Sequence, residues 1–319
     1  MYKIDLYDKK LLYELDKDSA ISITELSHKL RRSKQFVLYR MRQLEKADII
    51  KGYNAIVDMS KLGYFTFRLY FKFQQFSAED GKQFVDYLKE RFHQVWTITS
   101  IHGRWDYAIF LGVKTVSEFH SIWDTIILDY KPKIKLYSIS IYAPIHNFNR
   151  KFLLEKSQDS VERIYGIGEK EEIDDLDWKI IEIYSNDVRK SSLEISKKLK
   201  ISADTVRSRI KKLEKKKIIC GYKIGLNLEP LGFVSYRVDL QLISTKRNNA
   251  LFEFCRNHPN IYQINKTIGS SDFEMEVIVR DLSHLLKLLE EIKTQFKDVI
   301  NDVDYFGFSV YHILHYIPD

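Results

Sequence analysis

The chain has 319 residues, 45% of them hydrophobic and 30% charged, a balance that excludes a disordered protein and gives room for roughly two domains. Its two cysteines, Cys220 and Cys255, cannot build a disulfide framework or a cysteine zinc site, and neither a signal-peptide core nor an apolar run of ~18 residues is present, so the expectation is a cytoplasmic protein without membrane contact. The net charge of +7 is unevenly placed: 13 Lys and Arg stand against five Asp and Glu between Trp178 and Gly221, and 11 against seven between Asp8 and Tyr53, so the remainder is acidic and two separate stretches suit a polyanion.

In chain order, Leu11, Leu12 and Leu15 mark the apolar face of a first helix. Ser22-Ile-Thr-Glu25 then reads as a capping box that opens a second, short helix ending near Leu30. Ser33 caps a third after about three residues, the spacing of a helix-turn-helix. Strand patterns follow at 64–73, 94–102, 105–113 and 133–143, with helices at 78–91 and 115–129. That order, β-α-β-β-α-β, is the ferredoxin-like unit, and the sheet face without helices presents large apolar residues and should pack on another sheet. Residues 147–172 lack periodicity and carry Gly166-Ile-Gly168, so they read as a flexible linker.

Beyond the linker the same grammar returns. At a constant offset of 169, Glu25, Leu30, Ser33, Val37, Arg40, Leu44 and Gly52-Tyr53 align with Glu194, Leu199, Ser202, Val206, Arg209, Leu213 and Gly221-Tyr222. Gly103-x-x-Asp106 matches Gly269-x-x-Asp272 at an offset of 166. Ser191 to Glu194 repeats the capping box, helices are expected at 246–257 and 282–297, and strands at 232–243, 260–268, 272–280 and 301–316. The chain is a tandem repeat of one α+β unit.

In both copies the third helix has a narrow buried stripe, Val37, Met41 and Leu44 or Val206, Ile210 and Leu213. A polar, basic outer face opposite such a stripe suits the major groove, although a solvated basic helix has the same pattern. On the DNA reading, Lys34, Arg40, Arg42, Arg207, Arg209, Lys211 and Lys212 are candidates for phosphate contacts, with Ser33 and Ser202 at the helix starts. Arg40 and Arg209 border the buried stripe and could equally brace the fold. Gln35 can pair with adenine, Arg207 with guanine and Asp204 with cytosine, with Tyr39 and Ser208 adjacent. Two unlike helices predict an imperfect palindrome with unequal half-sites, and the more basic second copy should dominate nonspecific affinity.

The stretches SKQFVLYRMRQLEKADIIKGYNAIVDMSKLG and SADTVRSRIKKLEKKKIICGYKIGLNLEPLG resemble the recognition helix and hinge strand of the Lrp/AsnC (leucine-responsive, feast/famine) transcription regulators, and Leu6-x-Asp8-x-x-x-Leu12 and Leu176-Asp-Trp-Lys-Ile-Ile181 resemble their opening helix. The resemblance implies winged helix-turn-helix domains at 1–62 and 173–231, ferredoxin-like sensor domains at 63–146 and 232–319, and double-stranded DNA as partner. It also implies a small-molecule effector such as an amino acid, and homo-oligomers assembled through sensor-domain sheets. The Gly103-Arg104-Trp105-Asp106 turn, with Gly269 and Asp272 in the second copy, is similar to the family's effector-sensing turns; Gly and Asp are also ordinary hairpin residues. Fusion of two protomers would make one polypeptide a pseudo-dimer, provided the linker spans them.

No phosphate loop, dinucleotide fingerprint or nucleophile elbow is present, so no cofactor and no enzymatic activity are expected. His312 and His315, three apart on a strand, would face opposite ways and make a poor metal pair. Two alternatives remain open. One is a siroheme decarboxylase-like enzyme on the same architecture, which would place a tetrapyrrole pocket at the sheet interface. The other is a sensor or assembly protein in which the first-copy helix, with Leu38 outward, does not engage DNA.

Overall fold

The computed structural model describes residues 2–154 and 159–314; His315 lies outside them. The first unit opens with α1 (Leu6–Lys17), α2 (Ile23–Leu30), α3 (Lys34–Lys46) and β1 (Ile50–Val57). It continues with β2 (Phe65–Phe73), α4 (Ala78–Arg91), β3 (Val95–His102), β4 (Tyr107–Val113), α5 (Val116–Tyr130) and β5 (Ile134–Phe148). After β6 (Glu162–Tyr165) come α6 (Asp175–Asn186), α7 (Ser192–Leu199), α8 (Ala203–Lys215) and β7 (Ile219–Leu226). The chain closes with β8 (Val234–Leu242), α9 (Asn248–Asn257), β9 (Ile261–Ile268), β10 (Phe273–Val279), α10 (Leu282–Gln295) and β11 (Ile300–Leu314). The fold is α+β, two winged helix-turn-helix modules each followed by a βαββαβ unit.

Local chemistry explains the helix starts. Ser33 Oγ accepts the Phe36 N–H and Ser202 Oγ accepts the Thr205 N–H, each satisfying a donor that the helix itself leaves open. Ser191 and Glu194 form the full reciprocal capping box. In the first copy only half of that box forms: Ser22 accepts from Glu25 N–H, while the Glu25 carboxylate turns to Lys29, one helical turn on.

The two helix-turn-helix modules are joined within the chain. β1 and β7 pair antiparallel, and the register places Asn54 opposite Lys223. Those two positions are equivalents in the repeat, so a pseudo-two-fold axis passes between them. Symmetry-related bonds close the ribbon at its ends, Asp58 N–H to Ile218 O and Asn227 N–H to Ile49 O. α1 packs on β7 and α6 on β1, so each opening helix lies on the other copy's strand. One hydrophobic core accordingly takes Leu11, Leu12 and Leu15 together with Ile180, Ile181, Ile219 and Ile224. Neither module buries its apolar face alone.

The βαββαβ units also join. Within each, the last strand pairs with the first, giving the orders β5-β2-β4-β3 and β11-β8-β10-β9. β5 and β11 are 15 residues long, and each leaves its own unit partway to pair with the other copy. β5 passes from β2 to β9 at Ile141, and β11 passes from β8 to β3 at Gly307, an equivalent position. The result is a ring of eight antiparallel strands with the helices outside, as expected when closure removes sheet edges.

The structure departs from the sequence reading in two places. The helix-free sheet face is apolar only in part: Tyr70, Ile101, Trp105, Ala108 and Phe306 cluster there across the two copies, and buried charge occupies the rest. Phe67, Leu69, Phe71 and Phe73 point to the helix side, while Arg68 and Arg237, both fully buried, occupy the alternate positions among Tyr70, Glu274 and Tyr142. The supposed linker is also largely built into the structure. β6 pairs with the end of β5. Arg163 on that strand donates to the Asp16 and Lys17 carbonyls that end α1, and Gly166 N–H donates to Asp58. The alternation over four residues is too short to rise above its polar surroundings in the sequence.

Candidate nucleic-acid interface

The third helices present their faces as the wheel predicts. Val37, Met41 and Leu44 are buried, as are Val206 and Leu213, while Ile210 is half-buried. Lys34, Gln35, Tyr39 and Arg42 in the first copy are exposed, and so are Asp204, Arg207, Ser208, Lys211 and Lys212 in the second. Ser33 and Ser202 sit at the helix starts, their hydroxyls engaged as caps. The first copy adds a hydrophobic element, with Tyr39 59% and Leu38 37% exposed.

Arg40 and Arg209 are half-buried and differ from the rest. Arg40 is paired with Asp5, donates to Tyr2 Oη at 3.0 Å and lies 3.7 Å from Asp8. Arg209 is paired with Asp174 and reaches Asp177 Oδ1 at 2.9 Å. Asp8 and Asp177 are fully buried near the starts of α1 and α6, so each arginine neutralises a carboxylate that solvent cannot. Burial raises Asp8 from its ordinary range, offset by the Tyr2 hydrogen bond. Hydrogen bonds from Arg209 hold the Asp174 carboxyl below its usual range. Lys212 also rests on Asp177, at 3.0 Å, with its side chain 45% exposed. The geometry thus divides the seven cations read from the sequence: Arg40 and Arg209 brace the fold, Lys212 stands between roles, and Lys34, Arg42, Arg207 and Lys211 remain on the exposed face. Arg207 pairs with Asp204 one turn earlier, so base recognition by either would first break that surface pair.

Sequence reasoning placed the turn between the second and third helices but missed the cations at its tip. α2 and α7 end on residues with left-handed backbone, Arg31 (φ 52°) and Lys200 (φ 56°), positions where glycine is usual. Each therefore carries a cation at the tip of the turn. Ser27, His28, Arg31, Arg32 and Ser33 line a shallow concavity of about 500 Å³ there. Arg32 stacks on Tyr7, 4.3 Å from the ring centre, which orients it. The one available signal was the basic pair Arg31-Arg32 directly before the Ser33 cap.

The two Gly-x-x-Asp turns carry out structural work. Asp106 accepts the Phe73 N–H at 2.8 Å and pairs with Lys72 at 2.6 Å, and Asp272 accepts the Leu242 N–H at 2.8 Å. Both carboxylates thus cap the first strand of their own unit. Gly103 (φ 129°) lies against Tyr305 and Phe306 of β11, and Gly269 (φ 91°) against Ile139 of β5, so each turn meets the other copy's last strand. Arg104 pairs with Asp304 across that junction at 2.9 Å, and Trp105 stacks on Tyr70 inside the ring.

Residues 4–51 match a family model described as a winged helix-turn-helix DNA-binding domain, and residues 173–214 match the AsnC-type helix-turn-helix domain. The HTH-type transcriptional regulator Ptr1 of Methanocaldococcus jannaschii is 32% identical over 119 residues, 37% of this chain and 80% of that protein. LrpA of Pyrococcus horikoshii, also an HTH-type transcriptional regulator, is 51% identical over 61 residues, 19% of this chain and 43% of its own length. The chain therefore spans less than half of LrpA. Among solved structures, the siroheme decarboxylase NirDL superposes with a TM-score of 0.66 at 12% identity, over 98% of this chain and 94% of that one. At that identity the likeness is one of fold.

Proposed function

The chain belongs to the Lrp/AsnC family of helix-turn-helix transcription regulators, and on that premise we propose that it binds double-stranded DNA site-specifically as a single-chain pseudo-dimer. The observation that carries this reading is the β1–β7 ribbon, which ties two helix-turn-helix modules about a pseudo-two-fold axis while α3 and α8 keep exposed outer faces. A pseudo-symmetric pair of reading helices fits an imperfect palindrome. Lys34, Arg42, Arg207 and Lys211 take phosphates, joined by Arg31 and Lys200 at the turns. Gln35, Tyr39, Asp204, Arg207 and Ser208 face the bases.

The sensor ring responds to a small molecule, of which an amino acid is the class implied by the family. Effector contacts fall at the exposed edges of the turns, Gly103-Arg104 and Gly269, since Asp106 and Asp272 are committed to their strands. The sheets of one chain close on each other, so further association of chains uses the outer surface. Leu286, Leu289, Val303 and Tyr305 line an open groove there. Among the described residues no helix is long and apolar enough to cross a membrane.

The role is regulatory rather than enzymatic. A tetrapyrrole pocket at the sheet interface would need space, and the ring is filled at that level by Arg68, Glu274, Arg237, Tyr142 and Tyr70. A mobility-shift titration of the purified protein on its own upstream DNA, with nonspecific competitor and a salt series, tests the reading. A discrete complex that survives competitor supports it. Competitor-sensitive smearing overturns site-specific binding there.

A further inference from the structure

The inner wall of the sensor ring carries one feature that the repeat makes legible. Arg68 and Arg237 are equivalent residues, both fully buried, one from each copy. Their partners are not equivalent. Arg68 reaches Glu274 with two bonds of 2.8 Å. Arg237 reaches Glu274 at 2.5 Å and Glu276 at 2.6 Å. Tyr142 Oη accepts from both arginines, at 3.2 and 3.0 Å. Thr267 and Ser271 donate to Glu274, and Ser270 Oγ accepts from Arg68.

Every carboxylate in this network belongs to the second copy. Strand register identifies what stands at the same places in the first. Glu274 lies opposite Asp239, and Glu276 opposite Arg237. In the first copy Ala108 lies opposite Tyr70, and Phe110 opposite Arg68. Glu274, Glu276 and Asp239 are therefore replaced by Ala108, Phe110 and Tyr70. Against the burial that would raise it, Arg68 holds the Glu274 carboxyl down to about 2. Burial and then Glu274 itself push Asp239 up to about 7.

We propose that this uneven network is a pairing code: the first-copy sensor sheet accepts a partner sheet bearing the second copy's carboxylates and rejects another first-copy sheet. A ring of two first-copy sheets would bury two Arg68 guanidinium groups with no inner carboxylate. A ring of two second-copy sheets would crowd two sets of Asp239, Glu274 and Glu276 around two arginines. Both arrangements leave buried charge uncompensated, which costs far more than an ion pair contributes. The code thus forbids the exchanged assemblies open to a chain with two similar halves, and it excludes single-unit relatives that lack the acidic set.

Cysteine pairs at the junction read the pairing directly. Ile141 lies opposite Ile268 in the ring, and His102 is the first-copy equivalent of Ile268. Ile141→Cys with Ile268→Cys therefore reports first-to-second pairing. Ile141→Cys with His102→Cys reports first-to-first pairing, as a disulfide between chains. After the full chain is unfolded and refolded at high concentration, the first reporter should oxidise within the chain and the second should give no interchain product. Adding Arg68→Met with Glu274→Met leaves Arg237 on Glu276 and removes the charge that bars first-to-first rings. Interchain product should then rise at least about tenfold. A folded double-Met variant that stays silent would overturn the proposal. So would interchain product from the unaltered core at the level of the first reporter, a measurement that stands even if the double-Met variant fails to fold.

Discussion

At the scale of single residues, the cations of the third helices divide by what they already hold. Arg207 and Lys211 are exposed, so alanine at both should leave the melting temperature nearly unchanged while weakening DNA binding and lowering the salt slope by roughly 0.9 per lost phosphate contact. Arg209→Ala should act on stability instead. It leaves Asp177 buried with only Lys212 beside it, at a cost of about 2 kcal/mol for the lost charged hydrogen bond, measurable by urea unfolding. Arg209→Ala that spares stability while abolishing binding would reverse the assignment. Asp239 sets a pH signature. Its folded pKa, about 7, lies above the ordinary 3.8, so the native state holds a proton that the unfolded chain releases, and stability falls as pH rises between those values. Asp239→Asn removes that loss. It should be more stable than the parent at pH 8 and show no such gain at pH 4, as read from denaturation midpoints.

At the scale of elements, periodicity and caps predicted most of the described α-helices, because an apolar stripe and a serine N-cap are local signals, whereas α6, capped by Asp174, was read from the repeat and the resemblance. α4 spans the residues expected from its pattern, Ala78–Arg91. What escaped depended on partners distant in sequence. β5 runs on to Phe148 because its second half pairs with β9, more than a hundred residues away. β6 exists because β5 offers it an edge, and Arg163 gains its role from carbonyls at the end of α1. The apolar reading of the inner sheet face holds for the Tyr70, Trp105 and Phe306 cluster but missed the buried arginines, for a related reason. The second copy's carboxylates make a buried arginine tolerable, and no single strand shows that. The DNA face was largely visible as exposure, whereas the commitment of Arg40 and Arg209 to buried aspartates was not. Arg163→Met tests the status of the segment between the copies. As part of the structure, its loss strands two helix-end carbonyls and should cost about 2 kcal/mol by thermal or urea unfolding. A mere tether would show no change.

At the scale of the whole molecule, the same symmetry is used twice, once in the β1–β7 ribbon and once in the eight-stranded ring. Divergence of the copies then gives each junction a direction. The recognition faces differ, Leu38 and Tyr39 in one against Arg207, Ser208 and Lys211 in the other, and the ring interior differs in charge. A homodimer reads two equal half-sites, whereas on the proposed function this chain reads two unequal ones with a single polypeptide. The number of chains in the specific complex decides between a single-chain pseudo-dimer and a conventional dimer. Native mass spectrometry of the protein on its footprinted site should find one chain per duplex, with protection over two unlike half-sites and loss of the complex when either is scrambled. Two chains per duplex, or a complex indifferent to one half-site, would contradict the single-chain pseudo-dimer.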